Sequence, residues 1–359
     1  MRFVMANDLK KGMRLARPIY NKSGVLLYDR DTKLTKQGIN SIINFKLLGI
    51  YILEPAEPLP PMTEDDREFE RFQTMSVFAI KEDMELLLAG KRPINLDRLA
   101  PLIQKDYSKR EKKLCIQQDI RSEEDYVYKH ALNSAIIASL IAGKIGLDVE
   151  KQIALIKACA LYDIGKMLPD ISRSDFETQE EYEIQAQLKG GRFLADNDYI
   201  PEAVQMMVID RYRFEVGNKT INDCPLTVKI MKVAQDYDDM TSMKPEGEIS
   251  SNVSAVRTLL AHSELYDAKA VSALVACINI LYPGICVELT NKVTGLVIKA
   301  NPSNVLRPIV LCFPTNEVLD LSNNRVFDDV QIADIMKTMD QRIHIDPELV
   351  NQFIKEYNN

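Results

Sequence analysis

The sequence lacks tryptophan, has only three histidines, and contains no apolar run long enough to cross a bilayer. Its best apolar stretch, AIIASLIA at residues 135–142, is soon interrupted by Lys144, whereas a membrane helix needs roughly 18 apolar residues. Residues 1–12, MRFVMANDLKKG, do not contain the long apolar segment of a signal peptide. We therefore expect a cytoplasmic protein that makes no use of a membrane.

A broad basic surface is also missing, because acidic residues outnumber basic ones and the net charge is -7. Proteins that bind nucleic-acid polymers need clustered Lys and Arg side chains to neutralise the phosphate backbone. The composition therefore excludes a nucleic-acid polymer as a general partner. It still allows a small anionic ligand in a pocket that is locally basic.

Several common chemical motifs are absent. The six cysteines show no CxxC spacing, and we expect them to be small buried hydrophobes rather than metal ligands or disulfide partners. There is no glycine-rich phosphate loop and no serine-nucleophile elbow. The acidic run QDYDDMT, residues 235–241, lacks the further spaced acids of a calcium loop.

The first part of the chain is predicted to be a small α/β module. Within residues 1–53, two short apolar segments flank an Asn-Lys-Ser-Gly turn, and Thr35 precedes a segment with helical periodicity. Residues 54–66 are rich in proline and acidic side chains, a composition that cannot pack into a core. We interpret them as a linker.

The rest of the chain divides where the apolar period changes. Residues 67–282 repeat apolar side chains with helical spacing, which predicts an all-α core of roughly eight helices. Within residues 283–359, short alternating runs predict an antiparallel meander of about four strands. Asp346 and Pro347 then favour the start of a last helix.

One histidine and one aspartate of the helical core invite a chemical interpretation. His130 lies early in one predicted helix, and Asp163 directly follows another. Facing each other, they could be two ligands of a metal, with Lys166 able to reach a bound phosphate. Two protein ligands make a poor site, so a hydrogen-bonded histidine and a helix-end aspartate remain the structural alternative.

The sequence around these residues resembles a known family. The stretches EEDYVYKHALNSAIIASLIAGKIGL and IKACALYDIGKMLPD are similar to the HD-GYP branch of the HD-domain superfamily, bacterial phosphodiesterases that hydrolyse cyclic di-GMP. The later stretches KIMKVAQDYDDMTS and LYDAKAVSALVACINILYPGICVELTN continue the resemblance, which covers most of the chain. It implies a mainly α protein, with an HD-type all-α core between the N-terminal α/β module and a C-terminal antiparallel β extension.

The resemblance also implies an iron or manganese centre, and this chain departs from the family's ligand set. His130 matches the first histidine ligand, and Asp163 matches the aspartate of the HD pair. The Gly-Tyr-Pro motif is missing. The other ligand positions fall on Tyr162, on Ala186 or Gln187 depending on alignment, on Val208 and Ile209, and on Gln235, with Asp236 one place off register.

These replacements remove the chemistry that the resemblance implies. The other two histidines, His262 and His344, lie beyond the helices that would build the centre. A phenol is hard to ionise, and Ala, Val and Ile offer no lone pair. Hydrolysis in this family needs a metal-activated water. We therefore expect no metal or other cofactor, no catalytic residues, and an inactive HD-GYP-like protein that acts as a binding or protein-interaction module.

We predict that the protein can still bind an anionic ligand although hydrolysis is lost. Five cations lie in segments that would line the family's cleft and could hold the phosphates of a cyclic dinucleotide. The alternative is that these cations are solvated charges around a pocket filled by apolar side chains. The five are Lys166, Lys189, Arg192, Arg211 and Arg213.

Two further possibilities stay open. A homodimer, or a contact with another protein, could use the continuous apolar stripe of REFERFQTMSVFAIKEDMELLL, residues 67–88. The competing enzymatic hypothesis is a metal-dependent phosphodiesterase with a reduced iron or manganese site. That site would use His130, Asp163 and Asp236.

Overall fold

The computed structural model describes residues 2–45, 47, 49–53, 63–111, 113, 125–242 and 250–336. Within these residues the chain is mainly helical, with eleven α-helices and three antiparallel sheets. None of the described helices is long and apolar enough to cross a membrane. The chain forms two compact units, one of Met1–Glu111, Ile116–Ile249 and Ser263–Leu274 and the other of Lys112–Cys115, Ser250–His262 and Val275–Asn359.

The N-terminal module contains one helix and two small sheets. Its elements are β1 (Arg2–Met5), β2 (Arg14–Leu15), β3 (Ile19–Tyr20), β4 (Leu26–Tyr28), α1 (Lys36–Asn44) and β5 (Gly49–Leu53). Strands β1, β5 and β2 form an antiparallel sheet in that order, and β3 pairs with β4 around the expected turn. The Thr35 hydroxyl caps α1 by accepting a hydrogen bond from the Gly38 backbone N–H at 3.0 Å.

Nine α-helices follow, close to the number that the sequence predicts. They are α2 (Glu64–Leu88), α3 (Leu96–Tyr107), α4 (Asp125–Ile145), α5 (Val149–Leu161), α6 (Gln179–Ala195), α7 (Glu202–Glu215), α8 (Leu226–Thr241), α9 (Asn252–Ala261) and α10 (Ala268–Cys277). Helix α2 begins inside the segment interpreted as a linker, because Thr63 and Asp66 form a reciprocal capping box.

Helix α4 is the central helix of the first unit. Its apolar run is almost completely buried, with Ile137 and Ile141 each 0% exposed. It packs against α2, α3, α5 and α8, which explains why both faces of this helix are apolar. Gly146 ends α4 at φ 83°, and the N–H groups of Gly146 and Leu147 both donate to the Ala142 carbonyl. A core on all sides of α4 fixes the direction of each of its side chains.

The second unit contains a five-stranded antiparallel sheet, in the order β10-β6-β7-β8-β9. The strands are β6 (Cys286–Leu289), β7 (Thr294–Lys299), β8 (Ile309–Cys312), β9 (Val318–Asp320) and β10 (Ile332–Ile335), with α11 (Asn324–Asp329) between the last two. The first four strands form the predicted meander, and β10 adds a fifth strand beside β6. The predicted last helix and His344 lie outside the described residues.

Candidate functional site

The site is built by α4, α8 and the chain just after α5. Helix α5 ends at Leu161 and tightens into a 3₁₀ helix, Tyr162–Met167, which turns Asp163 toward His130 on α4. The Nε2 atom of His130 lies 3.9 Å from Asp163 Oδ2. On its other side, His130 Nδ1 lies 2.8 Å from Asp238 Oδ2 of α8. The structure therefore brings His130 and Asp163 together, and it adds a second carboxylate.

Asp238 is the site residue that sequence reasoning missed. Its side chain is 1% exposed, and its Oδ1 accepts hydrogen bonds from Asn133 Nδ2 and Ser242 Oγ, both at 2.6 Å. Both oxygens of this carboxylate therefore already have partners within the protein. A signal was present, because Asp238 lies seven residues after the buried Met231 and so falls on the core face of α8.

The protonation of His130 follows from its neighbours. Burial alone would lower the pKa of His130, but the hydrogen bond and charge of Asp238, together with the charge of Asp163, outweigh burial and raise that pKa. A metal ligand must be a neutral imidazole with a free lone pair. His130 is thus held between two carboxylates, and a metal at Nε2 would first have to displace the proton that they stabilise.

The second oxygen of Asp163 already has a cation. Lys166 Nζ lies 3.0 Å from Asp163 Oδ1, and the two side chains are only 16% and 5% exposed. Burial would lower the pKa of Lys166, but Asp163 and then Glu183 raise it, so the ammonium form is favoured. In this arrangement Lys166 neutralises a protein carboxylate.

Tyr162 stands where the resemblance implies the histidine of the HD pair. Its side chain is buried, and its hydroxyl has no hydrogen-bond partner among the residues that the structure describes. Burial raises the pKa of Tyr162 far above its usual range, opposed only in part by Arg211. The side chain therefore stays a neutral phenol, which is a weak metal ligand.

Arg211 of α7 is a buried cation beside this tyrosine. Its guanidinium carbon lies 5.4 Å from the centre of the Tyr162 ring. Its Nε donates to Gln235 Oε1 at 3.1 Å, and its other nitrogens contact Glu215 and Asp236. The residue at the family's late aspartate position, Gln235, thus accepts a hydrogen bond from a protein cation.

Asp236, the out-of-register carboxylate, is also occupied. Besides Arg211, it accepts hydrogen bonds from Lys232 Nζ and from the Tyr266 hydroxyl, the latter at 2.8 Å. Lys232 further lies 3.7 Å from Glu215. Burial alone would raise the pKa of Glu215, but Arg211 and Lys232 lower it, so Glu215 is ionised within this network.

The remaining ligand positions are filled by packing. The Ala186 backbone crosses the 3₁₀ helix so closely that a Cβ atom added at Gly165 would lie 1.7 Å from the Ala186 carbonyl oxygen. Val208 is completely buried, and Gln187 has a buried Oε1 without a partner in the described part of the chain. Ile209 lines a surface cavity between α6 and α7.

The five cations do not share one cleft. Lys166 and Arg211 are buried in the separate ion networks described above. Lys189 binds the carbonyl and carboxylate oxygens of Asp170, at 2.7 and 2.8 Å. Arg192 and Arg213 both line the cavity of about 290 Å³ that Ile209 also lines. Arg213 lies 3.3 Å from Asp210, so part of its charge is already compensated.

The residues present do not fit an iron or manganese centre. Among the described residues, no group of three or more His, Cys, Asp or Glu side chains is arranged to hold a metal ion. His130 Nε2 and Asp163 Oδ2, 3.9 Å apart, are two neighbouring donor atoms, which is fewer than such a centre needs. The guanidinium of Arg211, fixed over Tyr162, adds electrostatic repulsion against a further cation.

Comparisons with known proteins assign no function to the residues of this site. No protein-family model matches the sequence, and no curated protein matches it. Among solved structures, the chain is similar to a HDG"Y"P protein from Bdellovibrio bacteriovorus, with 14% sequence identity and a TM-score of 0.47. The similarity covers 76% of this chain and 97% of the other.

Proposed function

We propose that this protein is a catalytically inactive relative of the HD-GYP phosphodiesterases, acting as a binding or protein-interaction module in bacterial second-messenger signalling. The observation that carries the proposal is the buried pair of Arg211 and Tyr162. A neutral phenol and a fixed guanidinium lie side by side at the position of an expected ligand. This pair supplies only a weakly donating neutral oxygen and no negative charge, whereas a divalent metal favours anionic or strongly donating ligands.

The state of the carboxylates supports the same conclusion. Asp163 is neutralised by Lys166, Asp238 by His130, and Asp236 by Arg211 and Lys232. A metal would have to displace a protein cation from each of these groups. Each displaced cation would lose its partner carboxylate. Leaving a buried charge without its partner costs about 3–5 kcal/mol, so that displacement is strongly unfavourable.

Metal content tests the loss of activity. Protein purified without chelator should contain much less than one equivalent of iron or manganese by elemental analysis. It should also release no linear dinucleotide from cyclic di-GMP. One equivalent of either metal that is lost on His130→Gln would overturn the proposal and favour the alternative phosphodiesterase with a reduced site at His130, Asp163 and Asp236.

A dinucleotide-binding role has one supporting feature, the cavity shared by Arg192 and Arg213. Arg192 forms no hydrogen bond or ion pair with the described residues, so its guanidinium is available to a phosphate. Calorimetry with cyclic di-GMP tests this role on the wild type and on an Arg192→Ala, Arg213→Ala double variant. Binding that survives the double variant, or that is lost equally on Lys189→Ala, would contradict it.

A further inference from the structure

The apolar stripe of α2 divides into two halves with different surroundings. In the C-terminal half, Ile80, Met84 and Leu87 are each 0% exposed and are used inside this chain, where α2 packs on α3 and α4. In the N-terminal half, Phe69, Phe72 and Met75 instead line a surface cavity of about 560 Å³. Within the part of the chain that the structure describes, this half of the stripe is the one open to a partner.

The floor of the cavity is aromatic. The Phe69 and Phe72 rings lie 6.1 and 5.8 Å from the ring of Tyr107, which is buried at the end of α3. Met75 is 41% exposed and extends the apolar surface toward the tip of the β3–β4 hairpin. A Cβ atom added at Gly24 in that hairpin would lie 2.6 Å from Met75 Sδ, so the hairpin and α2 are in contact.

The rim of the cavity carries charges of both signs that are not paired with each other. Glu68, Arg71 and Asp106 form no hydrogen bond or ion pair with any residue that the structure describes. The Nε atom of Arg110 is buried and also has no partner there. A ligand with one sign of charge would pair with only some of these side chains. A surface that itself carries charges of both signs would pair with all of them.

We propose that the occupant of this surface is a second copy of the chain, docked by antiparallel pairing of the two α2 helices. In a twofold interface, residue i of one copy meets residue j of the other, and the reverse also holds. Glu68 and Arg71 lie one helical turn apart on the same side of α2. A twofold axis between them brings each Glu68 to the Arg71 of the second copy.

The interface combines the features of a stable contact. The Glu68 and Arg71 pairs lie beside the twofold axis, and the aromatic and methionine side chains of the two copies form apolar surface on either side of them. Val25 and Leu26, 57% and 42% exposed on the hairpin, add apolar surface beside Met75. This dimer does not depend on the state of His130, so it stands or falls separately from the loss of hydrolysis.

Light scattering on the full-length chain at micromolar concentration tests the proposal. The wild type should have twice the chain mass of 40.8 kDa. Glu68→Arg and Arg71→Glu should each be monomeric, because each places like charges opposite one another in its own dimer. An equimolar mixture of the two variants should dimerise again, since both cross-pairs then have opposite charges.

Glu85→Arg is the matched control, because Glu85 is exposed on α2 about 25 Å along the helix from Glu68. It should remain dimeric. Circular dichroism confirms that each variant is folded before its mass is interpreted. Three results would each overturn the proposed interface: a monomeric wild type, a dimer that survives both charge reversals, or a mixture of the variants that stays monomeric. A monomeric wild type would favour a different protein as the partner.

Discussion

The guanidinium of Arg211 stacks 5.4 Å from the centre of the Tyr162 ring, and both side chains are 3% exposed. Arg211 comes from α7, whereas Tyr162 begins the 3₁₀ helix after α5. The contact therefore joins two elements that an HD-type metal centre would also join. In the inactive protein that we propose, this protein cation takes the place that the resemblance assigns to metal ions.

Replacing Tyr162 with histidine should not create a metal site. Tyr162→His would add one imidazole beside His130 and Asp163, but Arg211 would stay over the new ring, and Val208 and Gln235 would still lack suitable donors. We expect no stoichiometric iron or manganese by elemental analysis of the variant. Stoichiometric metal in this single variant, absent from the wild type, would show that the site is one residue away from an active centre.

Removing the buried guanidinium should strongly destabilise the protein. Arg211→Met would leave Glu215 without its principal cation and Asp236 without one of its two, and breaking a buried pair in this way costs about 3–5 kcal/mol. Arg213→Met is the matched control, because Arg213 lies on the same helix with 48% of its side chain exposed. We expect that control to change the free energy of unfolding by about 0.5 kcal/mol or less.

Urea unfolding at neutral pH measures both changes. Equal losses of stability in the two variants would contradict the role of the buried network. A further variant, Glu215→Gln, should lose less than Arg211→Met, since Asp236 and the hydrogen bond to Gln235 would still hold the guanidinium.

The stability of the protein should fall as pH rises through the folded pKa of His130. This pKa is raised above the ordinary value of 6.5 by Asp238 and Asp163, so the folded state holds the proton more tightly than the unfolded chain. The stabilisation is therefore complete below about pH 6.5 and is lost as pH climbs through the raised value. Unfolding free energies measured from about pH 5 to about pH 9 should show this decline.

The variant His130→Gln should remove that part of the pH dependence while keeping a hydrogen bond to Asp238. His262→Gln, at an exposed position at the end of α9, is the comparison for loss of a histidine outside the site. A wild-type curve that rises over the same pH window relative to the His130→Gln curve would show that the assigned sign is wrong.

The crossing of the 3₁₀ helix over α6 should tolerate no side chain at Gly165. A Cβ atom there would lie 1.7 Å from the Ala186 carbonyl oxygen and 2.9 Å from the Gly190 nitrogen, so the backbone would have to move. We expect Gly165→Ala to lower the unfolding free energy by about 3 kcal/mol or more, at the upper end of overpacking effects.

Gly191→Ala provides the control for this crossing. The nearest atom to an added Cβ is Val208 Cγ1 at 4.0 Å, an ordinary contact. Since alanine is the better helix former, we expect Gly191→Ala to raise the unfolding free energy by about 0.5–1 kcal/mol. Thermal unfolding of the two variants, measured side by side, compares their stabilities. A Gly165→Ala protein as stable as Gly191→Ala would mean that the helices can separate at no penalty.

Local signals in the sequence were sufficient for most elements of the fold. The Thr35 cap, the β3–β4 turn and the alternating runs of β6 to β9 all act over a few residues, and each predicts its element. Strand β10 was not predicted, because only Ile332 of its four residues is buried and its pairing with β6 spans a long sequence separation. Such a strand is defined by its partner more than by its own pattern.

A family motif identifies which residues belong to the candidate site, but not the direction in which each side chain points. The approach of His130 to Asp163 follows from two packed helix ends. The cations were expected in one cleft, but Arg211 and Arg213 differ by about 200° around α7. One therefore enters the core and the other faces solvent. The angular position of each arginine around the helix decides whether it is buried or exposed. Alignment with a family motif does not specify that position.

The bond between His130 and Asp238 has a consequence for genetics. It links α4 to α8 at a position that is buried on both sides, with Asn133 and Ser242 attached to the same carboxylate. In an active enzyme, substitution of the ligand histidine abolishes turnover while the protein persists. In the inactive protein that we propose, the same substitution would instead reduce the amount of folded protein. A phenotype of His130→Ala would therefore report on abundance, whereas Glu68→Arg would separate the protein's contacts from its level in the cell.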